Sequence, residues 1–162
     1  MTPAELGEAI TSRIEGARAS TAYAELTVDV PLARWADAAD LCASDPAIEC
    51  SFFDWLSAVH ESDRCLVVCH LYSPVHRHHV RLRTSTDTEH RVPTLTAVFR
   101  GADWHERETY EMFGVEFTGE AHRRPLLLPD GFDGRPLRKD FPLTARLTKP
   151  WPGLVEPDGR RG

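Results

Sequence analysis

A histidine cluster is the first group of residues in this 162-residue chain that could carry chemistry. His76, His78 and His79 lie close together, and imidazole is the commonest metal ligand in proteins. Neighbouring residues of a strand face opposite sides, so His78 and His79 would not converge on one ion. No Asp, Glu or Cys stands beside them at helical spacing. The pattern favours a solvated strand start, and a free-standing metalloenzyme using His76–His79 is the weaker alternative.

A second group is formed by the carboxylates of Glu106, Glu108 and Glu111, in the segment that begins at Asp103. Carboxylates can act as general acid and base when a pocket supplies a second functional group. At helical spacing, Arg107 lies on the same face as Glu111, and such charge pairs stabilise exposed helices. We therefore predict a charged surface helix capped by Asp103. No nucleophile elbow, Walker loop or dinucleotide-binding motif occurs, and we predict no catalytic, cofactor-binding or metal-ligating residue.

The hydrophobic pattern predicts the elements that position these groups. Short polar turns favour antiparallel strand neighbours, and Thr2-Pro3-Ala4-Glu5 is a helix-capping box. The predicted elements are helices over 3–18, from Pro31 to about 45, briefly around 95–99 and from 103 to 114, with strands over 22–30, 50–59, 64–72 and 79–84. The predicted fold class is α+β, a mostly antiparallel sheet of about four strands with helices packed on it.

An extended arm rich in Pro and Gly is predicted to follow this domain. Seven of the twelve prolines and six of the ten glycines come after Val115, so we predict no regular structure there. The chain divides into an α+β domain over residues 1–114 and a C-terminal docking arm over 115–162. In the arm, Arg138 suits a partner carboxylate and Phe141 suits a pocket. The alternative is that the arm folds back on its own domain.

Charge and cysteine content limit the classes of partner. Residues 1–119 contain 10 Lys and Arg against 19 Asp and Glu, whereas residues 120–162 contain 9 against 6. An acidic body argues against nucleic acid, and a basic arm suits an acidic protein surface. The four cysteines match no zinc or iron–sulfur spacing, and Cys65 and Cys69, four apart in an apolar run, are expected to be core residues. No apolar run is long enough to span a bilayer and no signal peptide opens the chain, so we expect a cytosolic protein or one attached to a membrane through partners.

Three sequence blocks resemble the C subunit of proton-pumping NADH:quinone oxidoreductase, which is respiratory complex I. The C subunits of this enzyme form the 30 kDa subunit family. The three blocks are ERETYEMFG at 106–114, LLLPD at 126–130 and PLRKDFP at 136–142. The weaker likeness spans about residues 20–150. One stretch departs from the family. Where the family has Gly-His-Pro followed by two arginines, this chain has GEAHRRP at 119–125, and only Arg124 aligns with the arginine pair.

The resemblance implies a non-catalytic subunit of the peripheral arm of this translocase, without flavin or iron–sulfur cluster. FMN and the clusters that carry electrons from NADH to quinone would lie in partner subunits. The implied partners are the quinone-site D and B subunits and the ferredoxin-like I subunit of complex I, with the arm laid over the D subunit, at the cytoplasmic face of the cell membrane. A homologous subunit of a membrane-bound hydrogenase or formate-oxidising complex is the alternative. The predicted partner interface consists of Glu106, Arg107, Glu108, Glu111, Arg124, Arg138, Lys139, Asp140 and Phe141.

Overall fold

A five-stranded mixed sheet with helices packed against it forms the centre of the computed structural model, which describes residues 1–119 and 125–143. In chain order the elements are α1 (Pro3–Thr11), β1 (Arg18–Ala22), β2 (Glu25–Asp29), a 3-10 turn (Leu32–Arg34), α2 (Trp35–Ser44), β3 (Phe52–Glu61), β4 (Arg64–Tyr72), β5 (His79–Ser85), β6 (Arg91–Pro93), α3 (Ala102–Phe113) and β7 (Glu116–Thr118).

In this sheet the strands are ordered β1-β2-β5-β4-β3, and β2–β5 is its only parallel pair. The α+β class and its mostly antiparallel sheet are thus confirmed, with five strands where about four were predicted. The added strand is β1. The predicted first helix ends at Thr11 rather than 18, and the chain returns through Gly16 at φ +79° into β1, which pairs with β2 across a tight turn at Tyr23 and Ala24.

One apolar core joins the sheet to the helices. Alternate residues of the strands point into it, as the two-residue period of a strand requires, and α1 and α2 add Leu6, Ile10 and Trp35. Burial of this kind is the main favourable term in folding. All four cysteines are free and buried in this core, and the predicted core positions of Cys65 and Cys69 are confirmed.

A small second sheet extends the core beyond the position where the arm was predicted to begin. β6 and β7 pair in parallel, and Val115 and Phe117 are buried. The prediction of no regular structure after Val115 is therefore wrong at Glu116–Thr118. These residues have no local strand signal, because β7 is only three residues long and its partner is 25 positions upstream.

Two smaller helix predictions also need correction. The brief helix predicted around 95–99 is a single turn, with the Val98 and Phe99 amides bonded to the Leu95 carbonyl. Helix α3 begins at Ala102 after an N-cap at Gly101, so Asp103 lies inside its first turn rather than at the cap. No helix in the ranges 1–119 and 125–143 is long and apolar enough to cross a membrane.

Candidate docking surface of helix α3 and the arm

Helix α3 packs along β3, which is an edge strand of the main sheet. Its His105 ring lies 5.3 Å from the Phe53 ring, and the Leu56 amide donates to His105 Nδ1 at 3.4 Å. The helix ends at Gly114, whose left-handed φ of +78° suits glycine, and the Gly114 amide donates to the Tyr110 carbonyl. The helix therefore covers the β3 edge and ends at Gly114.

Glu106, one of the predicted interface residues, points into the fold and is 2% exposed. Its Oε1 accepts from the Leu95 amide at 2.7 Å, and its Oε2 accepts from the Thr94 hydroxyl at 2.6 Å. A buried carboxylate is tolerated when such donors replace its water. Glu106 therefore joins α3 to the turn after β6, and its carboxylate is not available to a partner chain.

Glu111, a second predicted interface residue, is also buried and fixes the start of the arm. Its two carboxylate oxygens each accept one backbone amide at 2.8 Å, from Leu126 and from Leu127. Charged acceptors make hydrogen bonds roughly twice as strong as neutral ones. The Glu111 carboxylate therefore supplies the hydrogen-bond acceptors that a neighbouring strand would otherwise provide for residues 126 and 127.

The arm continues along the same helix through three further contacts. Arg107 donates to the Pro125 carbonyl at 3.2 Å. The Arg135 guanidinium lies 4.5 Å from the centre of the Tyr110 ring, and the Leu137 amide donates to the Met112 carbonyl at 3.1 Å. Residues 125–139 thus fold back on the chain's own domain, which was the alternative prediction for the arm.

Beyond the helix, the arm reaches the sheet at His60. The Lys139 amide lies 3.1 Å from His60 Nδ1, a distance at which it donates to this ring nitrogen. Arg138 pairs with Asp140 at 3.2 Å, and this hydrogen bond lowers the pKa of the Asp140 carboxyl. The Phe141 ring stacks on Phe132 with centroids 6.1 Å apart. The described part of the arm, residues 125–143, is therefore held on α3 at its start and on β3 near its end.

The predicted interface residues thus fall into different environments. Glu108, Lys139 and Asp140 are exposed, whereas Arg107, Arg138 and Phe141 are half-buried and make contacts within the chain. Glu106 and Glu111 are buried, and Arg124 lies outside the described residues.

Large apolar side chains outside the predicted set of interface residues are exposed on the same two segments. Trp104 on α3 is 61% exposed and Leu137 on the arm is 55% exposed. The arm also exposes Leu127, Phe132 and Leu143. We call the exposed residues of α3 and of 125–143 the α3–arm surface. Their signal in the sequence is the presence of large apolar residues in a charged helix and a Pro-rich segment, where solvent alone would favour polar ones.

The histidine cluster lies elsewhere and makes structural contacts. His76 Nε2 is 2.9 Å from the Pro46 carbonyl oxygen, and His78 Nε2 is 2.7 Å from that of Ile48. Burial lowers the pKa of His78. His79 lies 5.3 Å from the His70 ring, away from this pair. Within residues 1–119 and 125–143, no group of three His, Cys, Asp or Glu side chains could hold a metal ion.

The chain matches known proteins over most of its length. Residues 28–147 match the family described as the 30 kDa subunit of respiratory-chain NADH dehydrogenase. The C subunit of NADH-quinone oxidoreductase from Mesorhizobium japonicum is 42% identical over 142 residues, which cover 86% of this chain and 70% of that protein. The C subunit from Caulobacter vibrioides is 40% identical over 143 residues, covering 86% and 73%.

Two solved structures share the fold. A trypsin-resistant fragment of Nqo5 superposes with a TM-score of 0.62 at 22% identity, covering 78% of this chain and all of the fragment. A chain of the membrane-bound sulfane sulfur reductase, an archaeal respiratory membrane complex, superposes with a TM-score of 0.74 at 24% identity, covering 88% and 87%. The extent of the family match and the identity to the C subunits agree with the sequence blocks at 106–142. This chain belongs to the 30 kDa subunit family of respiratory-chain NADH dehydrogenase, the family that includes the C subunits of NADH-quinone oxidoreductase.

Proposed function

We propose that this chain is a non-catalytic, structural subunit of an NADH:quinone oxidoreductase, assembled into the peripheral arm of the complex through the α3–arm surface. The observation that carries the proposal is the way in which the arm is held. Glu111, Arg107 and His60 bind its backbone to the domain, while Trp104 and Leu137 remain exposed. A rigid segment that displays apolar side chains binds a partner at a lower ordering cost than a flexible one.

The exposed side chains favour a protein partner. Trp is strongly enriched at binding hot spots, and exposed apolar patches mark interaction sites. Exposed charges of both signs, on Glu108 and Lys139, accompany Trp104 and Leu137 on these segments. An apolar centre with a charged rim is the usual composition of a protein–protein interface.

Family membership suggests which proteins those partners are. We propose the quinone-site D and B subunits and the ferredoxin-like I subunit, with the arm lying over the D subunit. FMN and iron–sulfur clusters would be held by other chains of the complex, and electrons would pass through those chains from NADH to quinone with proton translocation. This chain would then attach to the cytoplasmic face of the membrane as a peripheral component, through its partners.

The identity of the parent complex is supported by the relatives. The proteins of Mesorhizobium japonicum and Caulobacter vibrioides are named for NADH-quinone oxidoreductase. The fold also occurs in a membrane-bound sulfane sulfur reductase. A homologous subunit of another membrane complex, such as a hydrogenase or formate-oxidising complex, is therefore the second candidate. Flavin-binding NADH subunits that co-purify with this chain would distinguish the first candidate from the second.

Substitution of Leu137 by Asp tests the docking role. The Leu137→Asp variant keeps the backbone bond from residue 137 to the Met112 carbonyl, so the arm stays in place while its exposed side chain becomes charged. We expect recovery of the quinone-site subunits with this chain, in mild detergent, to fall about tenfold, the loss typical of a moderate hot spot.

The matched control is Val75→Asp, which places the same charge on a 63% exposed Val in the turn between β4 and β5. This variant should assemble as the unmodified chain does. If Leu137→Asp also assembles normally, the α3–arm surface is not the docking site.

A further inference from the structure

The two edges of the main sheet differ in how they are protected. The β3 edge is covered by the chain itself. His105 of α3 accepts a hydrogen bond from the Leu56 amide, and His60 accepts one from the Lys139 amide of the arm. The opposite edge is β1, which pairs with β2 and has no strand on its other side within the described residues. Natural sheets usually protect such edges, because an open edge is a template for pairing with another chain.

The register of β1 identifies the backbone groups that point outward. The two-residue turn at Tyr23 and Ala24 makes Ala22 and Glu25 a hydrogen-bonded pair. By alternation the next bonded pairs are Ser20 with Thr27 and Arg18 with Asp29. The N–H and C=O groups of Ala19 and Thr21 therefore point away from β2, toward the open edge.

The sequence of β1 has one of the features that block a further strand, the charge of Arg18, and lacks the others. The segment Arg-Ala-Ser-Thr-Ala contains no Pro and no Lys, its pairing with β2 is regular without a bulge, and all five residues are exposed. Pro, charged side chains and bulges are the devices by which natural proteins close an edge, and of these only the charge of Arg18 is present. The edge is thus free in its backbone and lined by small side chains.

A groove runs beside this edge, between α1 and β1. It has a volume of about 470 Å³ and is lined by small residues such as Ala4, Thr11 and Ala19, with the carboxylate-bearing Glu8. A strand added to β1 would place alternate side chains over this groove and the others on the opposite face. Backbone pairing does not discriminate between side chains, whereas contacts with the groove would favour particular side chains of the added strand.

Resting on the assembly proposed above, we infer that the β1 edge accepts an extended segment of a different protein of the complex, which adds a sixth strand to the sheet. A second copy of this chain is the less favourable occupant because it would bring together two acidic bodies, each with 10 basic and 19 acidic residues over 1–119. The fully exposed Tyr23 at the tip of the hairpin is placed to contact the same partner, and Tyr is enriched at interfaces. This second contact lies at the opposite edge of the sheet from the α3–arm surface.

Photo-crosslinking in the purified complex tests this inference. The chain carries p-benzoylphenylalanine in place of Tyr23, and the cross-linked peptide is identified by mass spectrometry. We expect a contiguous peptide of another subunit. Thr21→Pro, which removes an outward N–H and obstructs the edge, should lower the cross-link yield about tenfold. Thr21→Ala keeps the N–H and should leave the yield unchanged.

Thr21→Lys provides a second obstruction in case Thr21→Pro alters the fold, because it keeps the N–H and places a charge at the edge and its groove. It should lower the yield as Thr21→Pro does. A cross-link to a second copy of this chain, or an unchanged yield in both obstructed variants, would overturn the inference. The docking proposal fails separately, since Leu137→Asp assembling normally would leave the Tyr23 cross-link unaffected.

Discussion

At the scale of single residues, Glu111 holds residues 126 and 127 of the arm against helix α3. Its carboxylate accepts the amides of Leu126 and Leu127, and it is buried, so water cannot readily replace it. Hydrogen bonds to a charged group contribute about 1.5–3 kcal/mol each, and an orphaned buried donor adds to the loss. Glu111 thus fixes the backbone of two leucines that follow it by 15 and 16 residues in the chain.

Glu111→Gln should therefore release the start of the arm. Gln offers one oxygen and one NH2 group, so one of the two leucine amides loses its acceptor and faces a donor. We expect the free energy of unfolding to fall by about 2 kcal/mol and the amides of residues 126 and 127 to exchange faster. Glu108→Gln on the exposed face of the same helix is the control. Equal losses in both variants would show that the two amide contacts contribute nothing.

His60 is the second residue on which the arm depends. It accepts the Lys139 amide, and it faces Cys65 across the β3–β4 pair. Burial raises the pKa of the Cys65 thiol, which the charges of Arg138 and Asp140 also influence. Only the thiolate reacts with alkylating reagents, so Cys65 should react slowly while the arm is in place.

His60→Leu should loosen this end of the arm and speed alkylation of Cys65 by iodoacetamide about tenfold, because the Lys139 amide loses its acceptor. Cys69, whose thiol pKa burial also raises, lies in the same strand and serves as an internal control. His60→Gln retains an acceptor and should behave nearly as the unmodified chain does. A Cys65 rate that is unchanged in His60→Leu would contradict this role of His60.

The sequence identified Glu106 and Glu111 as notable but not what they do. Both stand in a helix whose charge pattern is typical of a solvated face, and i,i+4 pairing explains that pattern without any burial. Three of their donors are the backbone amides of residues 95, 126 and 127, and another is the Thr94 hydroxyl. A backbone amide is present at every residue except proline, so the sequence does not mark which amides a carboxylate will bind. The exposed Trp104 was missed for the converse reason, since an apolar residue is expected to be inside.

At the scale of elements, the end of α3 connects the helix to the arm. Gly114 has φ +78°, and a Cβ built on it would lie 3.2 Å from Arg135 Nε. The same glycine thus permits the left-handed cap and gives space for the Arg135 side chain that stacks on Tyr110.

Gly114→Ala should therefore cost more than backbone strain alone. A non-glycine residue in the left-handed conformation costs roughly 1–2 kcal/mol. Gly131→Ala is the matched control, because Gly131 has φ +77° and a Cβ there would meet nothing within 4 Å. Chemical unfolding of both variants separates the two costs. A smaller loss for Gly114→Ala than for Gly131→Ala would contradict the proposed role of the Arg135 contact.

Elements were predictable where their own periodicity is strong. The strand over 64–72 was predicted at the observed bounds, since alternation of buried residues is regular along it. β1 was missed because all five of its residues are exposed and therefore show no alternation. The predicted helix over 3–18 also included the residues between Thr11 and Arg18, which lead into β1. β7 was missed because its pairing with β6 is entirely long-range.

At the scale of the whole molecule, the chain combines an acidic body with a basic C-terminal segment and fastens part of that segment to the body. Backbone contacts at Glu111, Met112 and His60 give the described arm a fixed path. The predicted boundary at residue 114 separates the two in sequence, although Val115 and Phe117 complete the core. Family membership was predictable from the sequence blocks at 106–142, whereas the position of the arm required tertiary contacts.

The most direct test of docking through the α3–arm surface is hydroxyl-radical footprinting of the assembled complex, compared with this chain alone. We expect Trp104 and Leu137, exposed by 61% and 55% in the chain, to become protected on assembly. Val75, exposed by 63% away from this surface, should remain as reactive in the complex as in the free chain. Trp104 and Leu137 side chains that stay as reactive as Val75 in the complex would contradict docking through this surface.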